Sequence, residues 1–381
     1  MSSPLSLDSQ KNSRVLLLSQ RKLQDHVSRC SNYEFEDAIA RLNDIDWILP
    51  EHSYDFSLKI YGLIKRYLRS SRLADTLKPD PNPIQLTQNY PLFFAYFQHP
   101  LDILTLNSIK GWRKQCKKAI CYLEEIWLKD TPVFQPFLKL LHDFDCIFLG
   151  VRDSLAEVER ITKRPCTYLP AGIDAVKFCP YPNPPSRCID VLNMGRRSPM
   201  THNILLQAFE QEKIFYFYDT AKSFSVYNPQ EHRTLLSQTI ARSRYFIVNR
   251  AKVNEPSHIG EQSEFGPRFF EGAAAGAVML GDYPENETFK HYFDWSDAVI
   301  RMPFHTEDIL DAIARLDTQP ERLAKIRREN IINSLLKHDW VYRWETILNA
   351  AELGVTPKME QRKAQLQQLA ELVANDLNSC A

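Results

Sequence analysis

Short apolar runs separated by amphipathic stretches recur along most of this chain, and no other feature narrows its fold so far. Residues 15–19, 46–50, 91–97, 119–123 and 146–151 are such runs, too short for buried helices and rich in branched and aromatic side chains. They read as strands. Helical spacing of apolar residues fills intervals between them, as at 33–43. Strands that alternate with helices lie parallel in a sheet covered on both faces, because each crossover helix packs back on that sheet. The pattern resumes at 189–193, 214–218, 245–248, 277–280 and 298–302, with helices expected at 201–211, 307–316, 320–338 and 340–351 and a final helical stretch to about 377.

A change of composition divides the two series. Pro180, Pro182, Pro184 and Pro185 cannot sit inside a helix or a central strand. The expected organisation is a tail over 1–13, a first domain over 14–179, a linker over 180–187 and a second domain over 188–356. A C-terminal helix within 357–381 is expected to return to the first domain. The fold class is α/β, two Rossmann-like, doubly wound domains facing a cleft, and 381 residues suffice for two cores. In doubly wound sheets ligands sit beyond the carboxyl ends of the strands, which makes His99, Glu124 and Glu125 the candidates for chemistry in the first half. The loop after the first run contains no glycine, so a dinucleotide-binding turn loses most of its support.

Forty-seven basic residues balance forty-seven acidic ones, which gives no support for general nucleic-acid binding. Eight cysteines show no CxxC pair and no metal-ligand spacing with the ten histidines, and buried thiols in a reducing cytosol are the simplest account. No secretory signal or membrane span is apparent, so a cytoplasmic protein is expected. One basic amphipathic segment, 59–78, carries Lys59, Lys65, Arg66, Arg69, Arg72 and Lys78 against Asp75. Its apolar face is no larger than core packing requires, so it reads first as a solvated face over a core, with peripheral contact with the anionic inner face of a membrane as the alternative.

The stretch 263–282, SEFGPRFFEGAAAGAVMLGD, holds four of the eleven glycines. Pro267 suits the first turn of a helix and Gly276 the residue that ends one, so a helix is expected over 267–275. Its free N–H groups and dipole, with Arg268 beside them, make an anion site. Glu271 lies on the same helix. Gly195, Arg196 and Arg197 form a second strand-to-helix turn, where forked guanidinium groups suit phosphate. The long polar loop 249–264 leads into the first of these features, and loops of that length are commonly functional.

Four motifs in this order resemble glycosyltransferases of the GT-B fold, of the glycosyl transferases group 1 type, including relatives named for spore-coat maturation proteins. LPAGIDAVKFCP (169–180) resembles the stretch that ends the family's first domain. IDVLNMGRRSPMTHNILLQAF (189–209) resembles its strand, Gly-Arg turn and helix, EFGPRFFEGAAAGAVMLGD (264–282) its Glu-x-Phe-Gly-x-x-x-x-Glu signature, and HDWVYRWETIL (338–348) its closing pattern. The resemblance implies transfer of a sugar from a nucleotide-sugar donor to a glycan, lipid-linked sugar or other hydroxyl acceptor. It leans to retention of configuration and needs neither metal nor other cofactor, because arginines and a helix dipole carry the counter-charge.

The resemblance implies a donor site at Gly195, Arg197, Ser263, Glu264, Phe265, Gly266, Pro267 and Glu271, with Glu271 accepting hydrogen bonds from the ribose. Arg196 and Arg268 are implied to stabilise the leaving phosphate. Two departures stand out. Ser263 occupies the place of the family's first glutamate, with Glu264 one position late, and the lysine after the Gly-Arg turn is missing. They motivate an alternative, an inactive glycosyltransferase-like module that binds a nucleotide-sugar or a protein partner. With inversion, Glu124, Glu125 or His99 is the expected general base.

Overall fold

The structure, a computed structural model, describes residues 14–51, 83–220 and 224–376. The first lobe is a six-stranded sheet of β1 (Val15–Leu18), β2 (Ile45–Ile48), β4 (Tyr90–Phe97), β6 (Cys116–Leu123), β7 (Cys146–Leu149) and β8 (Cys166–Tyr168). Its order is β2-β1-β4-β6-β7-β8, with every neighbouring pair parallel. β3 (Ile84–Gln85) and β5 (Ile109–Lys110) pair separately. The second lobe holds β9 (Ile189–Asn193), β10 (Tyr216–Tyr218), β11 (Ser243–Asn249), β12 (Val278–Asp282) and β13 (Ile300–Arg301) in the order β10-β9-β11-β12-β13, again all parallel.

Both sheets reverse their winding beside their first strand, between β1 and β4 and between β9 and β11. Connections on either side of such a reversal leave over opposite faces, so a crevice opens beyond the carboxyl ends of those strands. The strands themselves are buried on both faces. β1 is wholly covered, and in β4 every residue but Pro91 is buried, which is why both read as continuous apolar runs rather than alternating ones.

The expected strands are all present, with ends that differ by a few residues. β8 and the helix Pro229–Ala241 had no counterpart in the sequence reading. Two of the resembling motifs meet at the junction of the lobes, where Ile173 N donates to His338 O at 3.0 Å and Trp340 N to Ile173 O at 3.0 Å. A Cβ on Gly172 would lie 2.7 Å from the Trp340 ring, so only glycine lets these segments approach so closely.

The helix Pro357–Asn375 is tied to the first lobe at its start, through Thr356 Oγ1 donating to Leu42 O at 2.7 Å and Arg362 pairing with Asp174 at 2.6 Å. Its length also runs against the helix Pro320–Lys337, so it straddles the lobes rather than packing on the first alone. Among the described residues no helix is long and apolar enough to cross a membrane. The basic segment 59–78 lies outside the described residues.

Candidate active site

A cavity of about 380 Å³ lies between the lobes where the two winding reversals face each other. It is lined by residues that follow β1 (His26, Ser28), β4 (Gln98), β6 (Glu124, Glu125), β9 (Gly195, Arg196) and β11 (Arg250, Lys252). Part of the remaining wall comes from Glu264 to Arg268, Glu271 and Arg233.

The helix Pro267–Ala274 points its start into this cavity. Its N-cap is Gly266, which supplies no side-chain cap, and Pro267 follows in the first turn. A Cβ on Gly266 would meet nothing within 4 Å, so the backbone there is open to a ligand. The far end of the helix is fixed tightly. A Cβ on Gly272 would lie 2.6 Å from Met279 Sδ, and Gly276 ends the helix in the left-handed region at φ +65°. The uncapped N–H end is therefore exposed by a helix whose other face is locked into the sheet.

Arg268 Nη1 donates to Glu271 Oε2 at 2.6 Å, and Arg233 holds the other oxygen. Burial opposes ionisation of Glu271, but the two guanidinium groups outweigh it and hold the carboxyl down to about 2. Arg233 is itself buried and also donates to Glu34 of the first lobe, at 2.8 and 3.2 Å. Glu34 accepts in addition from Asp174 N at 2.9 Å and the Trp340 indole at 3.0 Å. A chain of four charged side chains, Glu34, Arg233, Glu271 and Arg268, thus connects the first lobe to the start of this helix.

Glu264 does not face the cavity freely. Oε1 accepts from Arg152 N of the first lobe at 2.6 Å and Oε2 from the Tyr168 hydroxyl at 3.5 Å, while burial raises the carboxyl to about 7. Ser263 is not among the cavity's lining residues, and Arg250 reaches its hydroxyl at 3.4 Å. Phe265 packs edge-on against Phe269 and Phe289 and supports the loop from behind.

Arg196 and Arg197 part company at the Gly195 turn. Arg196 lines the cavity, half-exposed, and pairs with Glu255 at 2.7 Å. Arg197 turns away to Asp219, at 2.6 Å from its carboxylate, so the structure does not bring it to the cavity. The Asp219 carboxylate also accepts from Gly195 N at 3.0 Å, which shapes the turn.

On the opposite wall the three candidates separate. His99 is not among the lining residues: its Nδ1 accepts from Leu101 N at 3.3 Å and its ring packs edge-on against Phe134, so it caps a helical turn. Glu125 lines the cavity but is engaged by Lys252 at 2.5 Å and by the Trp127 indole at 2.9 Å. Burial works against its charge, yet Lys252 prevails and keeps it below the ordinary carboxylate range. Glu124 also lines the cavity and is hydrogen-bonded by Asn32 and Tyr96, while its buried Oε2 has no hydrogen-bond partner among the described residues. Burial and the neighbouring Glu125 raise its carboxyl to about 7.

Sequence reasoning missed Arg233, Arg250 and Lys252. Arg250 and Lys252 follow the end of β11, and the strand-end rule that selected Glu124 would have found them. Nothing local marks Arg233.

Residues 208–349 match the model of the family described as glycosyl transferase-like. No curated protein matches the chain in sequence. Among solved structures, an α,α-trehalose-phosphate synthase (UDP-forming) from Burkholderia vietnamiensis superposes with a TM-score of 0.52 at 11% identity, over 89% of this chain and 97% of that one. An α-glucosyltransferase in complex with UDP gives 0.50 at 10% identity, over 89% of this chain and 100% of that one. These likenesses concern the fold. The fold is thus that of GT-B glycosyltransferases, and the matched segment lies in the second lobe.

Proposed function

We propose that this protein transfers a sugar from a nucleotide-sugar to a hydroxyl acceptor without a metal ion. The observation that carries the reading is the uncapped helix start at Gly266, open to the cavity and flanked by Arg268, with Arg196 lining the same space. Backbone N–H groups at Gly266 to Arg268 would receive the diphosphate. Arg196 and Arg268 would offset the charge that gathers on the leaving phosphate, a task a metal ion performs in other sites. Glu271 has two oxygens with about four acceptor positions, and one guanidinium bond to each leaves room for a ribose hydroxyl.

In the reaction the acceptor oxygen bonds to the anomeric carbon as that carbon's bond to the diphosphate oxygen breaks. The bonding pair leaves with the diphosphate. Under retention, which the resemblance favours, the acceptor proton goes to the departing phosphate. One observation favours inversion instead: Glu124 is the carboxylate on the acceptor-side wall with an unpartnered oxygen, and a carboxyl titrating near 7 suits a general base. Under inversion the proton passes to Glu124 Oε2.

Calorimetry with a panel of nucleotide-sugars, followed by transfer assays and proton NMR of the product's anomeric centre, tests all of this. Equal binding by wild type, Arg268→Ala and Glu271→Ala would remove the site assignment. Tight binding with no turnover would favour the inactive module. Cytoplasmic residence, with inner-face contact through 59–78, belongs to the same proposal, and co-sedimentation with anionic vesicles tests the contact.

A further inference from the structure

A second cavity, of about 290 Å³, shares no lining residue with the first. The helix Cys30–Leu42 starts at the first cavity, with Ser31, and ends at the second, with Arg41. The other walls are the two segments that cross between the lobes, at Asp174 and Asp339, and the first turns of the helix Pro357–Asn375. A volume of this size falls at the lower end of small-molecule sites.

Three cations line it, Arg41, Lys358 and Arg362, against the carboxylates of Asp174 and Asp339. The carboxylates are well supplied. Asp339 accepts from Ala175 N and Val341 N, each at 3.0 Å, and from Arg362 at 2.6 Å. Asp174 accepts from Lys177 N at 3.2 Å, from Arg41 at 2.8 Å and from Arg362 at 2.6 Å. The cations are less fully used. Among the described residues, Arg41 gives one of its five N–H groups to Asp174, Arg362 makes no bond through Nη1, and Lys358 reaches Asp44 only at 3.5 Å. Arg362 alone suffices to join the crossing segments. Arg41 and Lys358 add half-exposed cations beside it, so the spare hydrogen-bonding capacity of this cavity belongs to positively charged N–H groups.

We propose that this cavity is an effector site for a phosphate monoester of a small hydroxylated molecule, and that its occupant strengthens nucleotide-sugar binding in the other cavity. The forked guanidinium of Arg41 and the Lys358 ammonium suit phosphoryl oxygens, and the Gln361 and Gln365 amides suit the hydroxyls. Asp174 and Trp340, both lining this cavity, also give Glu34 a backbone N–H at 2.9 Å and an indole N–H at 3.0 Å. Glu34 in turn holds Arg233, which holds Glu271. A ligand that bridges Arg41 to the helix Pro357–Asn375 favours the arrangement in which those bonds are in place, and that differential affinity shifts the population. The effector role rests on the transferase reading; the binding does not.

Calorimetry on the full chain with glycerol 3-phosphate and a hexose phosphate, beside glycerol and the free hexose, tests the site without any nucleotide-sugar. At least one phosphate ester is expected to bind, and neither unphosphorylated compound. Arg41→Gln with Lys358→Gln is expected to weaken that binding about tenfold or more, and Arg268→Ala, in the other cavity, to leave it unchanged. The melting temperature of the double variant should match wild type, because half-exposed pairs add little stability. Nucleotide-sugar affinity at a saturating concentration of the bound ester is expected to rise about fivefold or more in wild type and not in the double variant.

No binding of either ester, or binding lost in Arg268→Ala and kept in the double variant, would overturn the site. Binding that leaves nucleotide-sugar affinity unchanged would overturn the effector role. Failure of every nucleotide-sugar to bind, with an ester still held through Arg41 and Lys358, would remove the transferase reading and leave the site standing.

Discussion

Arg233 Nε donates to Glu34 Oε2 over 2.8 Å, from the second lobe to the first, while the same guanidinium holds Glu271. Removing one partner from a buried charge network leaves the others uncompensated, and the cost exceeds the net worth of the pair. Arg233→Met is therefore expected to lower unfolding stability by about 3–5 kcal/mol in urea titrations. Adding Glu34→Gln and Glu271→Gln to that variant should recover much of the loss. An unchanged urea midpoint in the single variant would mean that the network is not formed in solution.

Two glycines on one helix should respond oppositely. Gly266→Val adds a side chain to open space at an extended backbone position, so stability should hold while nucleotide-sugar affinity falls by about tenfold or more. Gly272→Ala forces a Cβ against Met279 and Phe246 and should cost about 1–3 kcal/mol of stability. Thermal melts and calorimetry on the same preparations separate the two effects. A Gly266 variant that binds donor normally would place the diphosphate elsewhere.

Stability should peak in mildly acidic solution. Glu271 is depressed from 4.5 to about 2, so its contribution is fully present above 4.5 and is lost as pH falls through about 2. Glu36, Glu124 and Glu264 are raised from 4.5 to about 7. Burial is the leading cause in all three. A raised carboxyl binds its proton more tightly folded than unfolded, so stability declines as pH climbs from about 4.5 to about 7 and stays lower beyond. Urea midpoints across this range should show both slopes, and Glu124→Gln with Glu264→Gln should flatten the neutral one. A profile on which that double variant has no effect would contradict the assignment.

Opening of the lobes should gate turnover. Val27 N donates to Phe224 O at 2.6 Å and Val226 N to Asp25 O at 2.7 Å, an antiparallel bridge across one rim, and Arg152 N to Glu264 closes another. Asp25→Cys with Ser225→Cys, oxidised to a cross-link, should slow turnover by about tenfold or more, with recovery on reduction. Equal rates before and after oxidation would show that donor and acceptor enter without separation of these rims.

The sequence by itself determined the α/β class, the two parallel sheets, the proline break and the helix at 267–274. Each of these depends on local periodicity or on the restricted backbone of proline and glycine, which act within a few residues. It also picked out Glu124, Arg196, Gly266 and Arg268, which line the cavity, because strand ends and helix starts are local features. Only the tertiary structure decided which of those side chains reach the cavity. Arg197 turns to Asp219, His99 caps its own helical turn, Glu264 is taken by Arg152, and Glu125 is taken by Lys252. Arg233 enters from a helix with no distinguishing pattern. Its partners Glu34 and Glu271 are far apart along the chain, and a buried charge is positioned by whatever opposite charge the fold brings beside it. That pairing depends on how two lobes pack, which no stretch of sequence encodes alone.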